Sequence, residues 1–215
     1  MTGGELLAMC RTRLRDTSSP YLWDDDLIYT YLNQAERIFA ERTHILQDFT
    51  SFTVTTIDGI ASYALDPSVI AVLVAQIDGE PYPLQRINSS LRTRLSTTTS
   101  VPERYTVIGG VPVQFVLSPP ADGVQTLNLG VAVRPSVDIA FETAPTIPAE
   151  YHLDLVEYVV QECFVHPDAD GFAPELSDIA GRRWITAVNQ AKRDMYTAAH
   201  TANTVVGLPN WTGAR

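Results

Sequence analysis

Cysteine is nearly absent from this sequence. The two present, Cys10 and Cys163, fall among apolar residues of predicted helices, where a thiol packs as a small hydrophobe. Two such residues make neither a disulfide framework nor a zinc spacing. Lysine is scarcer still: Lys192 stands alone among the 15 basic residues, the rest being arginine, a bias for which the sequence offers no physical reason. No stretch clusters positive charge, which argues against a dedicated nucleic-acid binder. The four histidines, His44, His152, His166 and His200, are scattered. No apolar run approaches the roughly 20 residues of a membrane-spanning helix. The opening "MTGGELLAMCRTRLRD" lacks the basic start, long apolar core and cleavage site of a secretory signal. The sequons at Asn88 and Asn210 are therefore read as chance matches. There is no Gly-x-Ser-x-Gly motif, and the Gly109-Gly110 pair lies between two predicted strands instead of opening a helix, so no phosphate-binding loop is indicated.

What remains is an ordinary globular composition over 215 residues, 45% hydrophobic and 19% charged. That length suits one domain, or one domain with an insertion, and buries enough surface to fold without staples. The net charge of -10 is spread along the chain. Five basic and eight acidic groups lie in residues 1–48, five and seven in 49–140, and five and ten in 141–215.

The periodicity changes twice. Leu6, Cys10 and Leu14 predict a helix over 3–15, broken at "DTSSPY". In "WDDDLIYTYLNQAERIFAERT", Leu27, Ile28, Tyr31, Leu32, Ala35, Ile38 and Phe39 recur as on an amphipathic helix. From residue 49 the pattern becomes alternating and β-branched. Six or seven strands are expected in "FTSFTVTTI", "ASYAL", "VIAVLVAQI", "EPYPLQRI", "ERYTVI", "VPVQFVL" and "VQTLNLGVAVRP". Asp58-Gly59, Asp78-Gly79 and Gly109-Gly110 supply turns, and a short helix is expected at 89–95. Helices return in "IPAEYHLDLVEYVVQECFV", with an apolar arc wide enough to pack on two sides, and in "PELSDIAGRRWITAVNQAKRDMYTAAH". In the first, Leu153, Val156, Val160 and Phe164 mark one face. In the second, Leu176, Ala180, Trp184, Ala187, Val188, Ala191 and Met195 form a stripe. The expected fold is α+β. Residues 1–48 and 141–200 form a small four-helix bundle, 49–140 form an inserted antiparallel β-sandwich or barrel, and 201–215 form a C-terminal tail.

The three carboxylates Asp24, Asp25 and Asp26 raise the question of chemistry. Successive helical residues point about 100° apart, so the three cannot converge on one ion. A helix start accounts for them: Asp24 as N-cap, Asp25 and Asp26 against the positive helix end, and Trp23 as a hydrophobic staple onto Ile28. His166, Asp168 and Asp170 in "HPDADG" are the best metal candidate, yet the remaining ligands of a calcium loop are missing; a solvated turn using Asp and Gly explains them better. Glu157 and Glu162 lie five apart on a helix, too far round it to pair as acid and base, and His152 beside Asp154 reads as packing or surface. No catalytic residue, cofactor or metal is therefore expected, and the chain is not expected to be an enzyme. The tail carries Val205, Val206, Leu208, Pro209 and Trp211. Tryptophan is enriched at binding hot spots, so this segment either folds back on its own chain or docks on a partner.

The helix "WDDDLIYTYLNQAERIFAERT" resembles the N-terminal helix of head-to-tail adaptor (connector) proteins of tailed bacteriophages. So do "VPERYTVIGGVPVQFVLSPPADGVQTLNLGVAVRP", with its Gly hairpin and final alternating strand, and the Pro-initiated "IPAEYHLDLVEYVV". The likeness covers most of residues 22–196, with Pro119-Pro120 in place of spaced prolines. It implies a ring, typically a dodecamer, beneath the portal protein at the capsid vertex. Such a ring joins the head to a downstream tail or neck protein and continues the DNA channel. It also implies a C-terminal arm against the portal, residence in the virion neck after assembly in the host cytoplasm, and no membrane association. An acidic, lysine-poor chain agrees with a channel that DNA passes without sequence-specific binding. The alternative is a soluble protein-binding module with another virion or regulatory role.

Overall fold

The computed structural model describes residues 1–88, 98–110, 112–166 and 171–205, with side chains placed as far as Thr197. The helix expected at 89–95 lies outside the described residues.

Helix α1 (Gly3–Leu14) begins with a capping box: the Thr2 hydroxyl accepts the Glu5 N–H and the Glu5 carboxylate accepts the Thr2 N–H. Helix α2 (Asp25–Thr43) ends at His44, which adopts left-handed geometry with φ of 55°. A 3-10 turn (Ala149–Tyr151) follows Pro148 and leads into α3 (His152–Val165). Helix α4 spans Pro174–Val205, so it continues five residues into the stretch expected to be an irregular tail. "TANTV" lacks an apolar stripe but contains neither Gly nor Pro to stop the helix.

The four helices contribute to one hydrophobic cluster that includes Leu6, Cys10, Ile28, Leu32, Phe39, Leu155, Val159, Trp184 and Val188. Phe39 late in α2 meets Tyr151 ahead of α3 and Trp184 in α4, while Trp23 ahead of α2 meets His166 just past α3. Hence α2 and α3 lie antiparallel. Helix α3 packs on α1, α2 and α4, and its residues are buried nearly all round, as the wide apolar arc predicted. Leu153 and Leu176, expected on the buried faces, are instead exposed, while their neighbours His152 and Ser177 are buried, so these helix starts turn the leucines outward.

Seven strands form the β module: β1 (Gln47–Thr55), β2 (Ser62–Ala64), β3 (Val69–Ile77), β4 (Gln85–Arg86), β5 (Arg104–Ile108), β6 (Gln114–Ser118) and β7 (Thr126–Val133). They build two sheets, ordered β1-β7-β3 and β2-β6-β5-β4. The inner face of the module is a second cluster, including Val72, Tyr105, Phe115, Leu127, Leu129 and Val131. Two sheet expectations are corrected. The sheets do not close into a barrel, and β4 pairs with β5 in parallel. The long 87–103 connection allows this, since parallel neighbours need a crossover of about a dozen residues or more. The Gly109-Gly110 signal does mark a hairpin, with Ile108 opposite Gln114 and Arg104 opposite Ser118.

After β7 the chain returns to the helices as an irregular strap over residues 138–147. Ile139 and Ile147 on the strap are buried in the helical cluster. Its polar backbone is answered by side chains of α2. Asn33 donates to the Ile139 carbonyl at 3.3 Å and accepts the Ile139 N–H at 2.6 Å. One oxygen of Glu36, itself fully buried, accepts the N–H groups of Thr146 and of Ile147, the latter at 3.1 Å. His152 donates from Nε2 to the Ile147 carbonyl at 2.9 Å. The start of α1 closes over the other side: Gly3 N–H reaches the Thr143 carbonyl at 2.7 Å and Gly4 N–H the Phe141 carbonyl at 2.9 Å. The approach demands glycine at position 3, where a Cβ would lie 2.0 Å from the Ala140 carbonyl oxygen.

Burial pushes the Glu36 carboxyl upward, against the two strap N–H groups that favour its charged form; Asp138 nearby adds to the rise. The folded pKa therefore exceeds the unfolded value, and the charged group weakens the fold above that folded pKa. The cost is relieved as pH falls through the folded pKa towards about 4.3. Glu36→Gln keeps an acceptor oxygen and is expected to match or exceed the parent in urea unfolding at pH 7, with any advantage shrinking as the buffer approaches pH 4.5. Glu36→Ala strands two N–H groups and should lose about 2–4 kcal/mol. A Gln variant much weaker than the parent at neutral pH would show that the charge itself holds the strap.

Candidate functional site

One residue of the acidic run at 24–26, Asp25, is built into a clasp centred on Arg11. Arg11 is buried, and its guanidinium donates to Asp16 at 2.9 Å, to the Trp23 carbonyl at 3.1 Å and to Asp25. It also lies 3.6 Å above the centre of the Tyr21 ring. Asp16 in turn accepts the N–H groups of Leu22 and Trp23 at 3.0 and 3.1 Å. The loop between α1 and α2 is thus wound around one arginine paired with two carboxylates. Asp24 occupies the N-cap position of α2, yet its side chain makes no capping hydrogen bond, which corrects the expectation of a side-chain cap. Asp24 and Asp26 face solvent, whereas Trp23 and Ile28 are buried in the same cluster.

The other chemistry-bearing groups are engaged in packing. Glu157 accepts Arg13 at 2.8 Å and lies 3.6 Å from Arg183, tying α3 to α1 and α4. Asp154 is pushed upward by burial and by the Glu157 charge. Burial raises both thiols, Cys10 and Cys163, to about 12. That leaves them protonated and poor nucleophiles at neutral pH. His152 is buried against the strap carbonyl. His166 stacks edge-on to Trp23 at 6.1 Å; its proposed companions Asp168 and Asp170 lie outside the described residues. Among the described residues, no group of three His, Cys, Asp or Glu side chains converges as a metal site.

A cleft of about 610 Å³ opens between α2 and the β module, lined by Asn33, Glu36, Arg37, Pro67, Arg134 and Asp138 among others. Its cations are held by Glu41, which accepts Arg134 at 2.7 Å and Arg37 at 3.4 Å. Burial alone would raise the Glu41 carboxyl, but hydrogen bonds from the two arginines outweigh it and hold the group below its usual value. Arg134 also donates to the Pro67 carbonyl. The cleft is therefore a seam stitched by polar contacts between helical unit and β module, with no free acid–base pair on its described walls.

Sequence reasoning missed Arg11, Asn33, Glu36, Glu41 and Arg134. One of them left a readable sign. Ile28, Leu32, Glu36 and Ala40 form a single four-residue ladder along α2 and all are buried, so Glu36 stands where an apolar residue belongs. Of the expected partner-binding residues, Val206, Leu208, Pro209 and Trp211 lie outside the described residues, and Val205 is the last residue of α4. No helix among the described residues is long and apolar enough to cross a membrane.

The clasp predicts an order of effects in urea unfolding. Arg11→Ala leaves Asp16 buried without its partner and should lose about 3–5 kcal/mol. Asp25→Asn, at a half-exposed carboxylate, should lose less than about 1 kcal/mol, and Asp24→Asn should be silent within the error of the measurement. The reverse order would return the acidic run to the list of functional groups.

The architecture thus combines four helices, an inserted pair of small sheets and a set of titratable groups bonded to one another. The family model described as "SU10 adaptor protein" matches residues 1–208, taking in both the helices and the β module. No curated protein matches the chain. The chain therefore belongs to the SU10 adaptor protein family, a phage head-tail adaptor family.

Proposed function

We propose that this chain is a structural component of the virion neck, assembling with copies of itself into a ring beneath the portal. The ring joins capsid to tail and continues the channel for DNA. In this reading the four helices pack as a bundle forming the ring wall, neighbours meet through heterologous contacts that close, and the β module faces the next neck or tail protein. The segment after α4, with Val206, Leu208, Pro209 and Trp211, docks on the portal. The observation that carries the reading is the family match across nearly the whole chain. The engagement of acids, thiols and histidines in internal contacts supports a scaffold more than a catalyst. The spread of negative charge supports passage of DNA without adhesion.

Mass photometry and negative-stain microscopy of the purified chain, alone and with portal protein, test this directly. Rings are expected at least on the portal template. A chain that stays monomeric and ignores portal across salt and pH would overturn the proposal.

The docking role of the last segment has its own test. Deleting residues 206–215 should abolish or strongly weaken portal association while leaving the thermal unfolding midpoint of the free chain unchanged. A lowered midpoint with portal binding intact would mean that the segment packs on its own subunit.

A further inference from the structure

The end of the β module remote from the helices carries an unusual surface. Strand β1 starts beside α2 and ends at Thr55 opposite Thr126, the first residue of β7, so the loops 56–61 and 119–125 form the far tip. They are zipped together. Thr56 N–H reaches the Gln125 carbonyl at 2.8 Å, and the buried Thr56 hydroxyl donates to the Gly123 carbonyl at 2.8 Å. The same hydroxyl accepts the Gln125 N–H at 2.7 Å, and Gly59 N–H reaches the Ala121 carbonyl at 2.9 Å. Tyr63 adds a hydrogen bond from its hydroxyl to the Ile60 carbonyl at 2.8 Å. The neighbouring turn at 78–83 is tied in by Asp78 N–H to the Thr126 carbonyl at 2.8 Å.

On this braced base the large apolar side chains point outward. Ile57 is 59% exposed, Ile60 44%, Tyr82 79% and Val124 77%. Hydrophobic display on pre-ordered loops favours binding, because the ordering cost is met before the partner arrives. The charges at the tip are mostly negative. Residues 56–61, 78–83 and 119–125 contain Asp58, Asp78, Glu80 and Asp122, and the adjoining 98–104 segment, where Ser100 N–H reaches the Pro120 carbonyl at 3.0 Å, adds Glu103 and the exposed Arg104.

We infer that this tip is a docking surface for a different protein that presents Lys or Arg around an apolar knob. Charge selects among occupants. A nucleic-acid backbone or an anionic membrane is repelled by the carboxylates. A second copy docked tip to tip sets these carboxylates against their own kind. A cationic protein surface gains on both counts, with the apolar residues supplying contact and the carboxylates supplying orientation and on-rate. The inference rests on the adaptor reading for where such a partner is met, namely in the neck.

Photo-crosslinking in assembled particles tests it. The full chain carries p-benzoylphenylalanine at position 124, and the products are identified by peptide mass spectrometry. The result expected is a crosslink to another virion protein through a segment rich in Lys or Arg. The double variant Asp58→Lys, Asp122→Lys should fold with an unchanged circular dichroism melt and reduce the yield about fivefold or more. A crosslink to DNA, to a second copy or to a segment without basic residues overturns the inference, as does an undiminished yield in the charge variant. Particles that contain the chain but give no product also overturn it and leave the adaptor reading standing. Particles that never incorporate the unsubstituted chain overturn both.

Discussion

One buried carboxylate governs how the two halves of this protein are joined. The chain leaves the helices after α2, builds two sheets, and must come back through a segment that has no regular hydrogen bonding of its own. Such a segment can be buried only if its backbone polar groups find partners. Glu36 and Asn33, one turn apart on α2, provide them along the strap, and His152 takes the Ile147 carbonyl from the other side. Once the strap is fixed, Ile139 and Ile147 can enter the helical core and α1 can close over it with its glycine pair. The position of the β module relative to the helices depends on this arrangement and on the Glu41–Arg134 pair beside it.

The same economy holds for several of the acidic groups among the described residues. A carboxylate acts as base, nucleophile or ligand when some of its capacity is left for a substrate or ion. Here Asp16 and Asp25 answer Arg11, Glu157 answers Arg13 and Arg183, and Glu41 answers Arg37 and Arg134. At Arg11 burial forces this outcome, since a guanidinium removed from water needs acceptors on several sides, whereas Arg13, Arg37 and Arg183 make their pairs half-exposed or more. Of the acidic run at 24–26, Asp25 is thus part of a structural clasp while Asp24 and Asp26 face solvent.

Local periodicity was legible. Each alternating segment from "FTSFTVTTI" to "VQTLNLGVAVRP" became a strand, and Ile28, Leu32, Ala35 and Phe39 did form the buried face of α2. Partners distant in the sequence were not legible. Nothing in "LRTRLSTTTS" or its neighbours announces that β4 lies parallel to β5, because sheet order is decided by which apolar faces meet across the module. The irregular strap has no period to detect. Its existence follows only from asking where the N–H groups of Thr146 and Ile147 go. Likewise, the sequence pattern ends α4 short of Val205, because its apolar stripe fades before its helix does. A helix that leaves its core keeps its backbone bonds while its stripe becomes unnecessary.

The distribution of exposed apolar surface follows from these constraints. In the middle of the molecule, where strap, α2 and β module meet, Asn33, Glu36, Glu41 and Arg134 are all engaged with partners. Leu22, Val165, Phe172 and Leu176 are exposed where the loop between α1 and α2 nears Gly171. Ile57, Ile60 and Val124 are exposed at the opposite extreme, beyond the ends of β1 and β7. Evolution under solubility alone would favour polar residues at both places. The proposed place between two other proteins calls for the reverse, a braced middle and two ends that carry exposed apolar groups. The hydrogen bonds that engage Glu36, Glu41 and Arg134 hold helices, strap and β module in one arrangement, so the exposed apolar groups at both extremes are carried on a braced middle.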